Sequence, residues 1–387
     1  MADASYRRNF WVLTGDGLFF FLGMIFISYE SVLPVFLARL GAPRVVIGLV
    51  PVALALGVNM PSLLAAPLVE AAPRKRSYVL RYAIWQRIPW IVVALATPVL
   101  AVSAAGWLVA IVLVSVLVTT IAGGFVIPAF FHIVAATVPV ERRGTLFALR
   151  SVLSYLFGIG GGLVVRVVLD RVAFPSNYAI LYGIAALVLL LGLYVFSLVR
   201  EPESSEPERS ASVFGDGAIR SRIRTVLVGN RNFQAYVVAR ALLIIAFATT
   251  SFFPVYLVEE FGLPDSASGV FAMITAGTFI LVNPIFGRVG NRIGYKPIFI
   301  ASYLSLGLAS VVGLLGLAMP WAYLLVVFTA LSQSVNLLSW NMTVEFAPEG
   351  KVPSYIGVSG FFIGLVAPLA VLTGVVVDAF GFTGLFV

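Results

Sequence analysis

Ionisable side chains stand inside apolar runs long enough to cross a bilayer, and these are the residues that could do chemistry. In the run that opens the chain, Asp16, Phe20, Gly23, Ile27, Glu30 and Pro34 fall within about 80° at 100° per residue. Asp16 and Glu30 therefore share one helical face, about 21 Å apart along its axis. A charge at such depth costs roughly 2.5–3.5 kcal/mol, so each carboxylate must face protein or a wet cavity. An acid held there can take up and release a proton, or pair with a substrate cation. Each also has a plainer reading. Asp16 is at the right depth for a structural ion pair with Arg150, and Glu30 is near enough to the outer surface to reach water.

Arg240 lies about 12 Å into its own run and shares a face with Tyr236, Leu243, Phe247 and Pro254. It is expected as a cation opposite the acids of the first run. Arg87 reads as a packing and ion-pair residue, and Arg81 is shallow enough to snorkel. Thr329, Ser332, Gln333, Asn336, Trp340 and Thr343 lie within about 100° of one another, a polar stripe that reads as cavity lining. Its alternative is hydrogen-bonding between neighbouring helices. His132 is either an imidazole that titrates near neutral pH or a hydrogen-bonded structural residue. With no Cys, disulfides, thiol catalysis and cysteine metal sites are excluded, and a single His excludes a multi-histidine metal site. No metal and no cofactor are expected.

The elements that must position these groups follow from composition. A chain that is 60% hydrophobic and 11% charged, with mean hydropathy +1.04, cannot hide its apolar surface in one water-soluble globule. Spans are read at 9–37, 45–69, 78–103, 107–136, 144–169 and 178–199, then at 233–258, 267–286, 297–319, 320–344 and 354–378. The first run continues to Leu37, too long for a cleavable signal peptide. Between the two groups, residues 200–231 form a polar, Pro-broken linker. It leads into a short basic amphipathic stretch suited to the inner membrane surface.

The two groups repeat one another. Ser31, Pro34, Val35 and Leu37 recur as Ser251, Pro254, Val255 and Leu257, an offset of 220. After one inserted residue, Gly41, Pro43, Gly48 and Lys75 recur as Gly262, Pro264, Gly269 and Lys296, an offset of 221. A same-direction copy implies two parallel halves related by an axis along the membrane normal, with the working site between them. By that symmetry a twelfth span should follow, of which Phe382–Val387 is only the start, so the natural product is expected to run further.

Basic residues set the orientation. With the amino terminus inside, inner loops and tails carry seventeen of the 25 Lys and Arg, and outer loops carry only Arg39, Arg44, Arg166 and Arg171. The net charge of +8 then faces an anionic inner leaflet and calls for no nucleic-acid partner. A cell (inner) membrane location follows.

The loop after the second span of the second half reads Gly287-Arg-Val-Gly-Asn291-Arg292-Ile-Gly294-Tyr-Lys296. It closely resembles the loop signature of the major facilitator superfamily. The first-half copy runs from Ala66 through Glu70 to Arg74 and Lys75, recognised by its offset. Asn291 stands where the signature has an acid, and Glu70 keeps one in the first copy, so an inner latch would depend on Glu70. Pro139 to Gly144, with Arg142 and Arg143, and the glycines of the fifth span, Gly158 and Gly160–Gly162, fit the same family. The fifth span lacks the Gly-Pro pair of the antiporter signature, and the fourth lacks the arginine of the drug–proton exporters.

The resemblance implies an all-α integral membrane protein of two pseudo-symmetric six-helix bundles, residues 1–199 and 232–387, joined by the linker 200–231. It implies a secondary transporter working by alternating access and not an enzyme. Membrane lipids, a small-molecule substrate and protons are its expected partners, and it is expected to be a monomer. No Gly-x4-Gly-Lys-Ser/Thr loop occurs, so ATP is not the direct energy source. Phe20, Phe247 and Trp340 beside a few charges suit an amphipathic organic solute, moved by proton-coupled antiport with efflux as the favoured direction. Proton-coupled or facilitated uptake of a small polar metabolite is the alternative. From another class stand a membrane-embedded lipid-acting enzyme, against which no nucleophile motif appears, and a transporter-derived sensor, against which no soluble domain is appended.

Overall fold

In the computed structural model, which describes residues 2–201, 224, 226–228, 230–346 and 352–386, the described elements are all helices. Inside hydrocarbon, backbone N–H and C=O groups have no water to bond, so long apolar runs satisfy them by coiling. The order is α1 (Ala2–Ile27), α2 (Val32–Arg39), α3 (Arg44–Ala71), α4 (Lys75–Ala83), α5 (Ile88–Ser103), α6 (Ala105–Thr137), α7 (Val140–Arg171) and α8 (Ser176–Ser197). Then come α9 (Arg231–Thr249), α10 (Phe253–Glu260), α11 (Ala267–Ile293), α12 (Lys296–Leu315), α13 (Leu324–Phe346), α14 (Val352–Val366), α15 (Leu372–Phe380) and α16 (Thr383–Phe386).

Among the described residues ten helical stretches are long and apolar enough to cross a membrane, and Trp321–Ser334 adds a shorter apolar helix. On α5, Val92, Leu95, Val99 and Val102 are 46%, 71%, 67% and 80% exposed. Their spacing makes one continuous apolar stripe, which lipid tolerates and water does not.

Several spans are interrupted, and proline explains where. Proline offers no N–H to the carbonyl four residues earlier. Pro34 therefore frees the carbonyl of Glu30, and the first span breaks over residues 28–31, where Ser28 takes φ 31°. Its repeat counterpart Pro254 frees Thr250, where a 3-10 turn spans Thr250–Phe252. Pro89 does the same beside the turn Ile84–Gln86, and Pro368 lies within the turn Ala367–Val371. Pro98, Pro128 and Pro284 are instead absorbed within continuous helices.

Contacts divide the chain into two compact units. One comprises Met1–Ser28 and Leu56–Ala211, the other Tyr29–Ala55 and Ser212–Val387. In the first, α1 packs on α7 and α8, and α5 on α6 and α8. Its core includes Leu13, Val79, Ile133, Leu146 and Phe196. In the second, α13 packs on α11 and α12, α9 on α14, and α2 on α10 and α11. Phe233, Tyr236, Phe299 and Tyr355 form one core of this unit; Leu257, Phe271 and Val326 form another. Val226 is buried in the former, and most of the linker, with Arg220 and Arg222 of its basic stretch, lies outside the described residues.

Candidate functional site

The first unit buries an acid against an arginine. Both Nη atoms of Arg150 lie 3.4 Å from Asp16 Oδ2, and Nη1 also donates to the Leu13 carbonyl at 2.5 Å. The guanidinium lies 4.7 Å from the centre of the Phe130 ring. Room for it comes from Gly17: a Cβ there would sit 2.4 Å from Arg150 Nε. Ser154 ties the same crossing together, donating to the Arg150 carbonyl at 2.5 Å and the Gly17 carbonyl at 3.4 Å. Asp16 and Arg150 are thus ion-paired in this structure.

Arg87 sits at the break between α4 and α5 and works as a cap. It donates to the Ala83 carbonyl at 2.7 Å, to Gln86 Oε1 at 2.6 Å and to the Leu189 carbonyl at 3.4 Å. Carbonyls released where a helix breaks in an apolar medium need such a donor. Phe20 lies beneath this guanidinium at 5.6 Å. His132 is exposed on α6, and among the described residues it has no hydrogen-bond partner.

An acid that sequence reasoning missed meets the loop before α4. Glu201 accepts from the backbone N–H groups of Lys75 and Arg76 at 3.1 and 2.9 Å, and so caps the positive end of α4. Lys75 Nζ closes the preceding helix by donating to the Ala72 carbonyl at 2.8 Å, while Arg74 is exposed. Asn9 and Arg200 add a reciprocal pair, side-chain N–H to carbonyl at 2.8 Å and backbone N–H to side-chain oxygen at 2.9 Å. The only sequence signal was an acid directly after the sixth span, in Arg200-Glu201-Pro202.

In the second unit two charged groups within the spans, Glu30 and Arg240, meet neutral polar side chains. With the Gln333 amide nitrogen turned toward it, Glu30 accepts from that nitrogen at 2.8 and 2.9 Å through both carboxylate oxygens. Arg240 donates to Ser359 Oγ at 3.0 Å and lies 5.9 Å from the centre of the Tyr236 ring. The Tyr236 hydroxyl bonds Thr343 Oγ1 at 2.8 Å. Along the polar stripe of α13, the Ser332 carbonyl accepts from Ser302 at 2.7 Å, and Thr329 bonds back to its own helix. Gln333 is therefore the stripe residue brought to an acid, while Ser332 and Thr343 bind neighbouring helices. Phe247 is half-buried. The side chains of Asn336 and Trp340 lie outside the described residues, as do those of Glu70 and Asn291.

The loop after α11 turns at Gly294, whose φ of 83° suits glycine, and Gly290 makes room for the Tyr295 ring. Gly287 is half-buried, and Arg292 and Lys296 are exposed. At the opposite end of the spans two ion pairs form within the same unit. Arg44 grips Glu259 bidentately at 2.8 and 2.5 Å, and Arg39 Nε lies 3.9 Å from Asp265.

The sequence matches the family described as Major Facilitator Superfamily over residues 17–371. Among solved structures, a mutant form of the nucleoside transporter NupG superposes with a TM-score of 0.74 at 13% identity, covering 97% of this chain and 95% of that one. A POT family transporter in complex with 5-aminolevulinic acid gives 0.70 at 16% identity, covering 98% and 92%. A D-xylose–proton symporter gives 0.66 at 15% identity, covering 97% and 89%. No curated protein matches the sequence significantly.

Proposed function

The chain belongs to the major facilitator superfamily, and from that premise we propose that it moves a small organic solute by proton-coupled alternating access, with Glu30 as the proton carrier. The family makes it a transporter and not an enzyme. The observation that carries the coupling assignment is the contrast between its two acids. Asp16 is paired with the fixed cation of Arg150. Glu30 faces the neutral amide of Gln333, whose oxygen or nitrogen can serve a protonated or an ionised carboxyl by turning over.

In this reading residues 1–199 and 232–387 are the two six-helix halves, the linker 200–231 joins them inside, and the protein lies in the cell membrane as a monomer with its amino terminus cytoplasmic. Phe20 and Phe247, with Trp340, suit an amphipathic solute, and efflux by antiport is the favoured direction. Uptake of a small polar metabolite is the second reading, supported by the likeness to proteins that carry nucleosides and D-xylose.

Proteoliposomes with an imposed pH gradient, run across a panel of solutes, test both. Accumulation against the solute's own gradient is expected in the native protein. Glu30→Gln should abolish it and leave passive exchange. Gradient-driven accumulation that survives in Glu30→Gln would overturn the assignment, and the direction of accumulation separates efflux from uptake.

A further inference from the structure

The two ion pairs at the far end of the spans are related by the internal repeat. Under the offset of 220, Arg39 is the counterpart of Glu259; under the offset of 221 that follows the inserted residue, Arg44 is the counterpart of Asp265. The observed pairs are the crossed ones, Arg39 with Asp265 and Arg44 with Glu259. A two-fold contact has this form: position a of one copy meets position b of the other, and b meets a. Here both cations come from the first copy and both carboxylates from the second, so each pair is complementary where an unmodified repeat would set like charges together.

The surroundings make more of this than two surface ion pairs. Gly41 and Gly262, also counterparts, follow α2 and α10 with φ of 76° and 61°, which gives both copies a left-handed turn between their two charged positions. Backbones meet beside the stronger pair: Gly374 is so close that a Cβ would sit 2.6 Å from Val45 Cα, and a Cβ on Gly48 would sit 3.5 Å from the Gly374 nitrogen. The Arg44 guanidinium lies 4.8 Å from the centre of the Phe382 ring. Its side chain is 25% exposed and that of Glu259 38%, so solvent screens this pair only in part.

We propose that Arg44–Glu259 and Arg39–Asp265 form one charge-swapped latch between the two sequence copies, holding this end of the spans closed until transport requires it to open. Calling that end the outer face, and opening a step of transport, rests on the orientation and alternating access proposed above; the latch itself does not depend on Glu30. Arg44–Glu259, bidentate and half-buried, carries most of the closure. Arg39–Asp265 is longer and wetter, and contributes less.

The full chain has no Cys, so spin labels go on Leu40→Cys and Glu260→Cys alone, counterparts under the repeat. Double electron–electron resonance in proteoliposomes, without solute or gradient, then reads the closed and open populations. Glu259→Arg is expected to raise the open-to-closed ratio about fivefold or more, as loss of a partly buried pair and a new repulsion require. Adding Arg44→Glu should return the distribution to the native one. Reversal at Asp265 should act in the same direction and less strongly. If Glu259→Arg does not yield folded protein, the milder Glu259→Gln carries the same expectation at reduced size. A distance distribution unchanged in folded Glu259→Arg or Glu259→Gln overturns the latch, and so does a double reversal that stays open. Because no proton gradient enters, failure here leaves the Glu30 assignment standing, and failure of Glu30→Gln leaves the latch standing.

Discussion

Asp16 and Glu30 come from one apolar run, yet their partners differ in charge. Asp16 is the anion of a buried pair, and the Gly17 backbone is moulded around the arginine that meets it. Removing one member of such a pair leaves an uncompensated charge, typically at a cost of about 3 kcal/mol, whereas removing both is far milder. Asp16→Asn is therefore expected to lower the Tm in detergent, and Asp16→Asn with Arg150→Gln should recover much of the loss. Gradient-driven transport should return in that double variant along with stability. A double variant that is stable yet unable to couple would restore Asp16 as a proton carrier and displace Glu30.

At the scale of elements, the ends and breaks of helices decide where polar groups are needed. The first turn of α4 presents N–H groups that its own helix cannot bond, and the Glu201 carboxylate accepts two of them from across the unit. Glu201→Ala should cost about 1 kcal/mol, as loss of a helix cap does. It should speed amide exchange at Lys75 and Arg76 several-fold while leaving α6 and α8 unchanged. Uniform protection at those two amides in the variant would mean that water caps the helix equally well. Arg87 performs the converse task at the α4–α5 break, bringing donors to carbonyls.

For the whole molecule, the placement of basic residues predicts a topology that labelling can test. In the Cys-free chain, single cysteines at Pro43 and Pro264, both exposed, should react with an impermeant thiol reagent added outside intact cells. Cysteines at Arg143 and Arg292 should react only after permeabilisation. The reverse pattern would invert the orientation and move the charge-swapped latch to the inner face. Any labelling pattern that puts Pro43 and Pro264 on different sides would break the parallel repeat itself.

The sequence by itself determined the class of fold, because period, length and composition are local properties. Apolar runs of span length must coil in hydrocarbon, and Pro34 with Pro254 and Gly41 with Gly262 mark the breaks and turns of both copies. It also named Asp16, Glu30, Arg150, Arg240 and Gln333 as polar groups inside apolar runs, each in need of a partner or of water. Which partner each received was decided only in three dimensions. Helical periodicity gives the face of one helix, whereas a contact depends on how a second helix is rotated and shifted against it. Hence Gln333 could be read as cavity lining but not as the amide that holds Glu30. Glu201, 126 residues from Lys75, left no sign of the helix it would cap. The latch shows both levels at once. The repeat makes positions 39 and 259, and 44 and 265, equivalent, and only the packing of α2 on α10 turns that equivalence into crossed, complementary pairs.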